Sequence, residues 1–186
     1  MSERLLGIVL VGGRSSRMGT DKASLPHAGT TFLVYALDRL GKVCESVAVS
    51  GQTDAAHDVT VIDDPIKHQG PATGIAASLR FARDNRFDAC LITPVDTPAL
   101  TDQGLVELCD AWKRCHKLTV ARTDRIEPLV GIYPVDLADS IDALSTAQDR
   151  SLHRWIAGQD HTALPFPADH LNNINTSEDL SNYGCQ

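Results

Sequence analysis

The sequence predicts a three-layer α/β sandwich on a mostly parallel sheet, as one domain across residues 1–186. Three observations carry that prediction. Short apolar runs alternate with stretches whose apolar residues recur at helical spacing. One run, ACLIT at 89–93, is apolar without interruption, as a strand buried on both faces must be. A glycine-rich loop follows the first apolar run at once, where open parallel sheets bind their ligands.

In chain order, the apolar run at 5–11 is the first strand, and the loop LVGGRSSRMGTDKASL at 10–25 leaves it. His27-Ala-Gly-Thr-Thr reads as a turn. Phe32, Leu33, Ala36, Leu37, Leu40 and Val43 fall on one helical face. SVAVS at 46–50 alternates as a strand does, and 59–62 is a second short strand that ends at Asp63-Asp64-Pro65. HQGPATG at 68–74 opens a helix, with Pro71 suited to its first turn and Ile75, Ala76, Leu79 and Ala82 on its buried face. The central strand at 89–93 ends in Pro94-Val95-Asp96-Thr97-Pro98. A helix from about Asp102 buries Leu105, Leu108, Cys109 and Trp112. Strands are expected at 118–121, 129–133 and 171–174, helices at 134–144 and 151–156, and a capping box at 176–179 starts a last helix.

Composition narrows the class of function. With 186 residues the chain can bury a sizeable core, and 42% hydrophobic with 22% charged residues is ordinary for a globular protein. A formal net charge of −7 disfavours nucleic acid as a partner. No apolar run approaches membrane-spanning length, and the early glycines break the first run before it could serve as a signal peptide. A cytoplasmic protein is expected. Five cysteines, an odd number without C-x-x-C spacing, argue against a disulfide framework. Cys109, Cys115 and His116 could suggest zinc, but Cys109 sits on the apolar stripe of a helix, where buried thiols are common.

The chemistry gathers in two places. In the first loop Gly12, Gly13 and Gly19 alternate with Ser15, Ser16 and Thr20 and with the cations Arg14, Arg17 and Lys22. Exposed backbone N–H groups beside fixed positive charge make a cradle for phosphates. The glycine spacing is that of neither the dinucleotide fingerprint nor the ATPase loop. Asp21 either orients Lys22 or caps a short helix. In the second place, Asp96 follows a buried strand between two prolines. Such a carboxylate either caps a turn or holds Mg²⁺, which prefers oxygen ligands and keeps few protein carboxylates. The first loop, Ser50, Asp64 and Asp96 all follow strands, so the fold logic gathers them along one edge of the sheet.

The pattern GG-x-S-x-RMG-x-DK after a first strand resembles the nucleotidyltransferases of molybdenum cofactor biosynthesis, the guanylyltransferases in particular. The resemblance rests on 5–25 and 61–98 and is weaker over 127–180. It implies a Rossmann-like nucleotidyltransferase fold and Mg²⁺-dependent transfer of GMP from GTP to molybdopterin, with release of pyrophosphate. It further implies that the backbone of Leu10, Val11, Gly12 and Gly13 approaches the nucleotide, that Lys22 binds its phosphates, and that Asp64 contacts it. Gly70, Pro71 and Gly74 match a G-P-x-x-G loop beside the base, and VDTP places the metal on Asp96. Arg17 and Lys22 would stabilise charge on the α-phosphate and the departing pyrophosphate. Ser50 matches a further nucleotide-binding position, where the guanylyltransferases commonly carry Asn.

NNINTSEDL at 172–180 resembles the family's V-N-x-N-T-P ending, with Ser177 in place of Pro. The resemblance assigns Asn173, Asn175 and Arg150 to molybdopterin. Ordinary turn chemistry is the competing reading of the two asparagines. The attacking phosphate is already anionic, so no Ser, Cys or His is given a catalytic role. Partners are GTP and molybdopterin, with transient contact to molybdoenzymes or other cofactor-biosynthesis proteins. Alternatives are a cytidylyltransferase, a sugar-phosphate nucleotidyltransferase, or a non-catalytic nucleotide-binding subunit.

Overall fold

Strand β1 (Leu5–Leu10) is apolar along its length because both its faces are covered. Leu5 and Val9 enter one hydrophobic cluster, and Leu6 and Ile8 enter the other. The split follows from strand geometry, since successive side chains point to opposite faces. The computed structural model describes residues 3–12, 21–56, 58–63, 70–174 and 179. β1 lies between β4 (Ser46–Ser50) and β6 (Ala89–Pro94), parallel to both, and β5 (Thr60–Ile62) extends the parallel half beyond β4. On the far side of β6 come β7 (Leu118–Arg122), β8 (Ile126–Pro134) and β9 (His161–Pro165). Among the described residues the sheet has seven strands, in the order β5-β4-β1-β6-β8-β7-β9.

The sheet is mostly parallel, as expected, with β8 as the reversed strand. The turn from β7 to β8 is too short for a crossover, so the pair must be antiparallel. The N–H of Thr123 closes that turn on the carbonyl of Arg125 at 2.9 Å. β6 is therefore parallel to β1 on one edge and antiparallel to β8 on the other, which qualifies its reading as a central parallel strand.

Helices cover both faces. α1 (Phe32–Gly41) and α3 (Asp102–Cys115) pack in the cluster of Leu5 and Val9. α2 (Pro71–Asp84), α4 (Ala138–Thr146) and α5 (Leu152–Ala157) pack in that of Leu6 and Ile8. Hydroxyls start three of them. Thr31 accepts from the N–H of Val34, Thr101 from Gly104 and Ser151 from Arg154. His27 to Thr31 forms a tight hairpin between β2 (Pro26–His27) and β3 (Thr30–Thr31). Its two turn residues, Ala28 and Gly29, both have positive φ, as a type I′ turn requires. No helix among the described residues is long and apolar enough to cross a membrane.

Three expectations change. The expected strand at 171–174 is instead a 3₁₀ turn (Ala168–Leu171) followed by irregular chain. There the N–H of Ile174 donates to the carbonyl of Asp96 at 2.9 Å, a loop contact and not a sheet ladder. β9 was not foreseen. The helical stretch expected from 134 begins later, because Pro134 still belongs to β8 and a 3₁₀ turn (Val135–Leu137) precedes α4. The last helix expected from 176 falls outside the described residues except for Asp179.

Gly51, just after β4, has φ +111°, and a Cβ there would lie 2.3 Å from the carbonyl oxygen of Val11. Gly51→Ala should therefore cost about 3 kcal/mol, from strain and overpacking together. Urea unfolding checks this, and an unchanged midpoint would refute it.

Candidate active site

β1, β4 and β6 are parallel, so their carboxyl ends open at one edge. Backbone hydrogen bonds continue past the strands and join their loops. The N–H of Val11 donates to Ser50 at 2.9 Å, Val95 to Leu10 at 3.1 Å and Gly51 to Ile62 at 3.1 Å. Leu10, Val11, Gly12, Ser50 and Asp96 are thereby held side by side, as the fold logic required. Gly12 has φ +95°, a conformation that glycine adopts without strain.

Lys22 and Asp96 meet across this edge. Nζ of Lys22 donates to Oδ2 of Asp96 at 2.9 Å, with side chains 15% and 19% exposed. The choice left open for Asp21 resolves as a cap. Its Oδ1 accepts from the N–H of Ala23 at 3.1 Å and starts a 3₁₀ turn (Lys22–Ser24), while its Oδ2 accepts the hydroxyl of Thr53. The cap places Lys22 at the first position of the turn. Behind Asp96, the Thr97 hydroxyl donates to the carbonyl of Pro94 at 3.0 Å, and the buried Arg39 reaches the carbonyl of Pro98 at 3.4 Å. Arg39 is itself paired with Asp102 at 2.9 Å. The loop carrying Asp96 is thus braced from inside.

The G-P-x-x-G stretch forms the entry to α2. Gly70 is its N-cap with φ +91°, Pro71 occupies the first turn, and the Thr73 hydroxyl donates to the carbonyl of Gly70 at 2.9 Å. Ser50 is buried, and its hydroxyl donates to the carbonyl of Gly74 at 3.2 Å, tying β4 to α2. A Cβ on Gly74 would come within 2.9 Å of that hydroxyl oxygen.

Beside the pair lies a cavity of about 350 Å³, within the usual range for a small-molecule site. Pro71, Pro94 and Thr97 form part of its wall, and Arg150 and Asn173 reach it from two further segments. The structure therefore brings Lys22, Asp96, Arg150, Asn173 and the start of α2 to one end of the sheet. Gly13, Arg17, Asp64 and Asn175 lie outside the described residues.

Two features escaped the sequence reading. The Ile174–Asp96 backbone bond joins the C-terminal segment to the Asp96 loop, and no local pattern announces it. Glu127 also lines the cavity. A charge inside the otherwise apolar stretch IEPLVGIYP was the available signal.

Among the described residues no three metal-binding side chains cluster. One aspartate fits Mg²⁺, which keeps water and substrate phosphates as its other ligands, and Asp96 is the residue that could hold it. Among the described residues the thiols stand apart from this edge. Cys90 lies near the start of β6, at the end away from Asp96, and burial pushes its thiol well up. Burial pushes the Cys109 thiol up to about 11.

Comparison with known proteins agrees with this fold. The model of the MobA-like NTP transferase domain matches residues 7–163. A probable molybdenum cofactor guanylyltransferase from Rhodopirellula baltica is 43% identical over 189 residues, covering 95% of this chain and 90% of that protein. Among solved structures, molybdopterin-guanine dinucleotide biosynthesis protein A from Archaeoglobus fulgidus has a TM-score of 0.77 at 21% identity, covering 96% of this chain and 95% of that one. A Mycobacterium tuberculosis protein solved in complex with manganese has a TM-score of 0.62 at 19% identity, covering 96% and 97%. At those identities the two solved structures speak for the fold. The family match and the sequence relative, each spanning most of the chain, establish that this protein belongs to the MobA-like NTP transferases.

Proposed function

We propose that this protein transfers GMP from GTP to molybdopterin, as one nucleotidyltransferase domain across residues 1–186. The observation that carries the reading is the Lys22–Asp96 pair, with Asp96 on a loop whose Pro94 and Thr97 line a cavity together with Arg150 and Asn173. A cation and a carboxylate fixed at one point suit a triphosphate, and the cavity beside them suits an acceptor.

The terminal phosphate oxygen of molybdopterin attacks the α-phosphorus of GTP. The bond from that phosphorus to the bridging oxygen breaks, and pyrophosphate leaves with the electron pair. Molybdopterin guanine dinucleotide remains. Negative charge develops on the α-phosphate oxygens and the leaving group, so pre-placed cations lower the barrier. Lys22 is one such cation, and Arg17 is assigned the same task. Mg²⁺ held by Asp96 would supply Lewis acidity and neutralise phosphate charge, and the manganese complex of a protein with the same fold supports a divalent ion. The backbone of Leu10, Val11, Gly12 and Gly13, with Asp64, receives the nucleotide, and Gly70, Pro71 and Gly74 border the base. Ser50 serves by holding β4 against α2. Arg150, Asn173 and Asn175 bind the acceptor. The work is assigned to the cytoplasm, with transient contact to molybdoenzymes or other cofactor-biosynthesis proteins.

Pyrophosphate release from GTP, assayed with and without molybdopterin, tests the proposal. Release should require the acceptor and Mg²⁺, and kcat/KM should favour GTP over CTP and ATP. No acceptor-dependent release would overturn the reaction, and CTP used as well as GTP would make this a cytidylyltransferase. Arg150→Ala should raise KM for molybdopterin about tenfold, the effect of losing a charged hydrogen bond, and leave KM for GTP within about twofold. An equal change in both constants would remove Arg150 from the acceptor site.

A further inference from the structure

One wall of the cavity that Arg150 lines is built by an irregularity in β8. Pairing with β7 runs Thr119 to Ile132 and Val120 to Gly131, then jumps to Ala121 with Glu127. Pairing of β8 with β6 also stops at Gly131, opposite Ile92. Pro128, Leu129 and Val130 are left between the two registers, and all three line the cavity. The bulge is secured from beneath, where the fully buried Tyr133 donates its hydroxyl to the carbonyl of Pro128 at 2.5 Å. Bulges of this kind re-aim side chains beside functional sites. Here the bulge turns Glu127 to the cavity.

The Glu127 carboxylate is held in place. The Thr123 hydroxyl donates to its Oε1 at 3.0 Å, and Nε of Arg125 stands 3.6 Å from the same oxygen. The side chain is 28% exposed. Arg150 lines the same cavity, yet the two charges make no ion pair with each other among the described residues. Apolar side chains, among them Leu129, Leu152 and Leu171, lie on the walls as well. The cavity thus offers an anion, a cation and an apolar lining. Its complement is a flat heterocycle with a donor edge and a separate anionic group.

We infer that Glu127 is the specificity residue for the acceptor, reading the 2-amino-4-oxopyrimidine edge of a phosphorylated pterin. The carboxylate accepts from the exocyclic amino group and from the neighbouring ring N–H, a bidentate match. This inference rests on the proposed acceptor reaction. Guanine carries the same edge, so a pterin and a guanine nucleotide share the recognised chemistry. The side of the sheet favours the pterin, since β8 lies across β6 from β1, the strand that leads into Gly12.

The experiment compares the phosphate esters of 6-hydroxymethylpterin and 6-hydroxymethyllumazine by fluorescence titration. They differ at C2, an amino group against a carbonyl. The wild-type protein should prefer the pterin by about tenfold or more, since an unmatched polar edge leaves the carboxylate facing an acceptor. Glu127→Gln should bring the two within about twofold or reverse them, because an amide can donate to the carbonyl. Glu127→Asp should keep the preference. GTP affinity should stay within about twofold in both variants. Equal loss of both pteridines in Glu127→Gln, an unchanged ratio, no pteridine binding to the wild type, or a fall in GTP affinity alone would each overturn the inference. Molybdopterin turnover is read separately. Wild-type GMP transfer without pteridine discrimination defeats the role of Glu127 alone. Discrimination without transfer defeats the reaction and leaves that role standing.

Discussion

Asp96→Asn should lower turnover at least about a hundredfold and leave the fold intact, the scale expected when a fixed charge is lost from a transition-state site. Asparagine has nearly the same shape, and its carbonyl can still accept from Lys22 Nζ, which now lies 2.9 Å from Oδ2. The negative charge is lost. An amide oxygen is a far weaker ligand than a carboxylate for a hard divalent ion, so the remaining rate should respond poorly to added Mg²⁺. The stability cost should stay near 1 kcal/mol, because the ion pair is only partly buried and one hydrogen bond survives. Pyrophosphate release measured against Mg²⁺ concentration, with a thermal melt on the same sample, tests both parts. Wild-type rate and wild-type Mg²⁺ dependence would return Asp96 to the role of a turn residue.

Lys22→Ala should reduce kcat/KM for GTP by about two orders of magnitude, through weaker triphosphate binding and slower transfer together. The pairing with Asp96 adds a stability effect that the sequence did not suggest. Removing Lys22 leaves a carboxylate that is 19% exposed without this cation, at a cost of about 1 kcal/mol. In a chain of this length that shifts Tm by roughly 2–4 °C. Activity should therefore fall far more than stability. Lys22→Arg should recover GTP binding better than turnover, since the planar guanidinium keeps the charge and displaces its position. A large loss of Tm at unchanged kcat/KM would show that Lys22 only holds the Asp96 loop.

Local signals served well where burial is two-sided. β1 and β6 are uninterrupted apolar runs because helices cover both faces, and α1 and α3 repeat their apolar residues toward one cluster. Local signals failed at the margins. β9 is half-exposed, lies at the end of the strand order and, among the described residues, pairs with β7 alone, so HTALP has no apolar alternation to betray it. The stretch at 171–174 carries two asparagines, which strands disfavour, and its Ile174 N–H donates to the Asp96 loop in place of a sheet ladder.

The sequence by itself determined the layered α/β architecture and the sheet edge at which Leu10, Ser50 and Asp96 come together. It also singled out Lys22 and Asp96, because glycines, prolines and charges at strand ends are local facts. Tertiary structure alone decided that these two side chains meet at 2.9 Å, although they lie 74 positions apart in the chain. It also turned Ser50 onto the Gly74 carbonyl and opened the bulge that brings Glu127 to the cavity of Arg150. The physical reason is common to all three. Each depends on which strands become neighbours and in what register, and register is set by packing across the whole sheet.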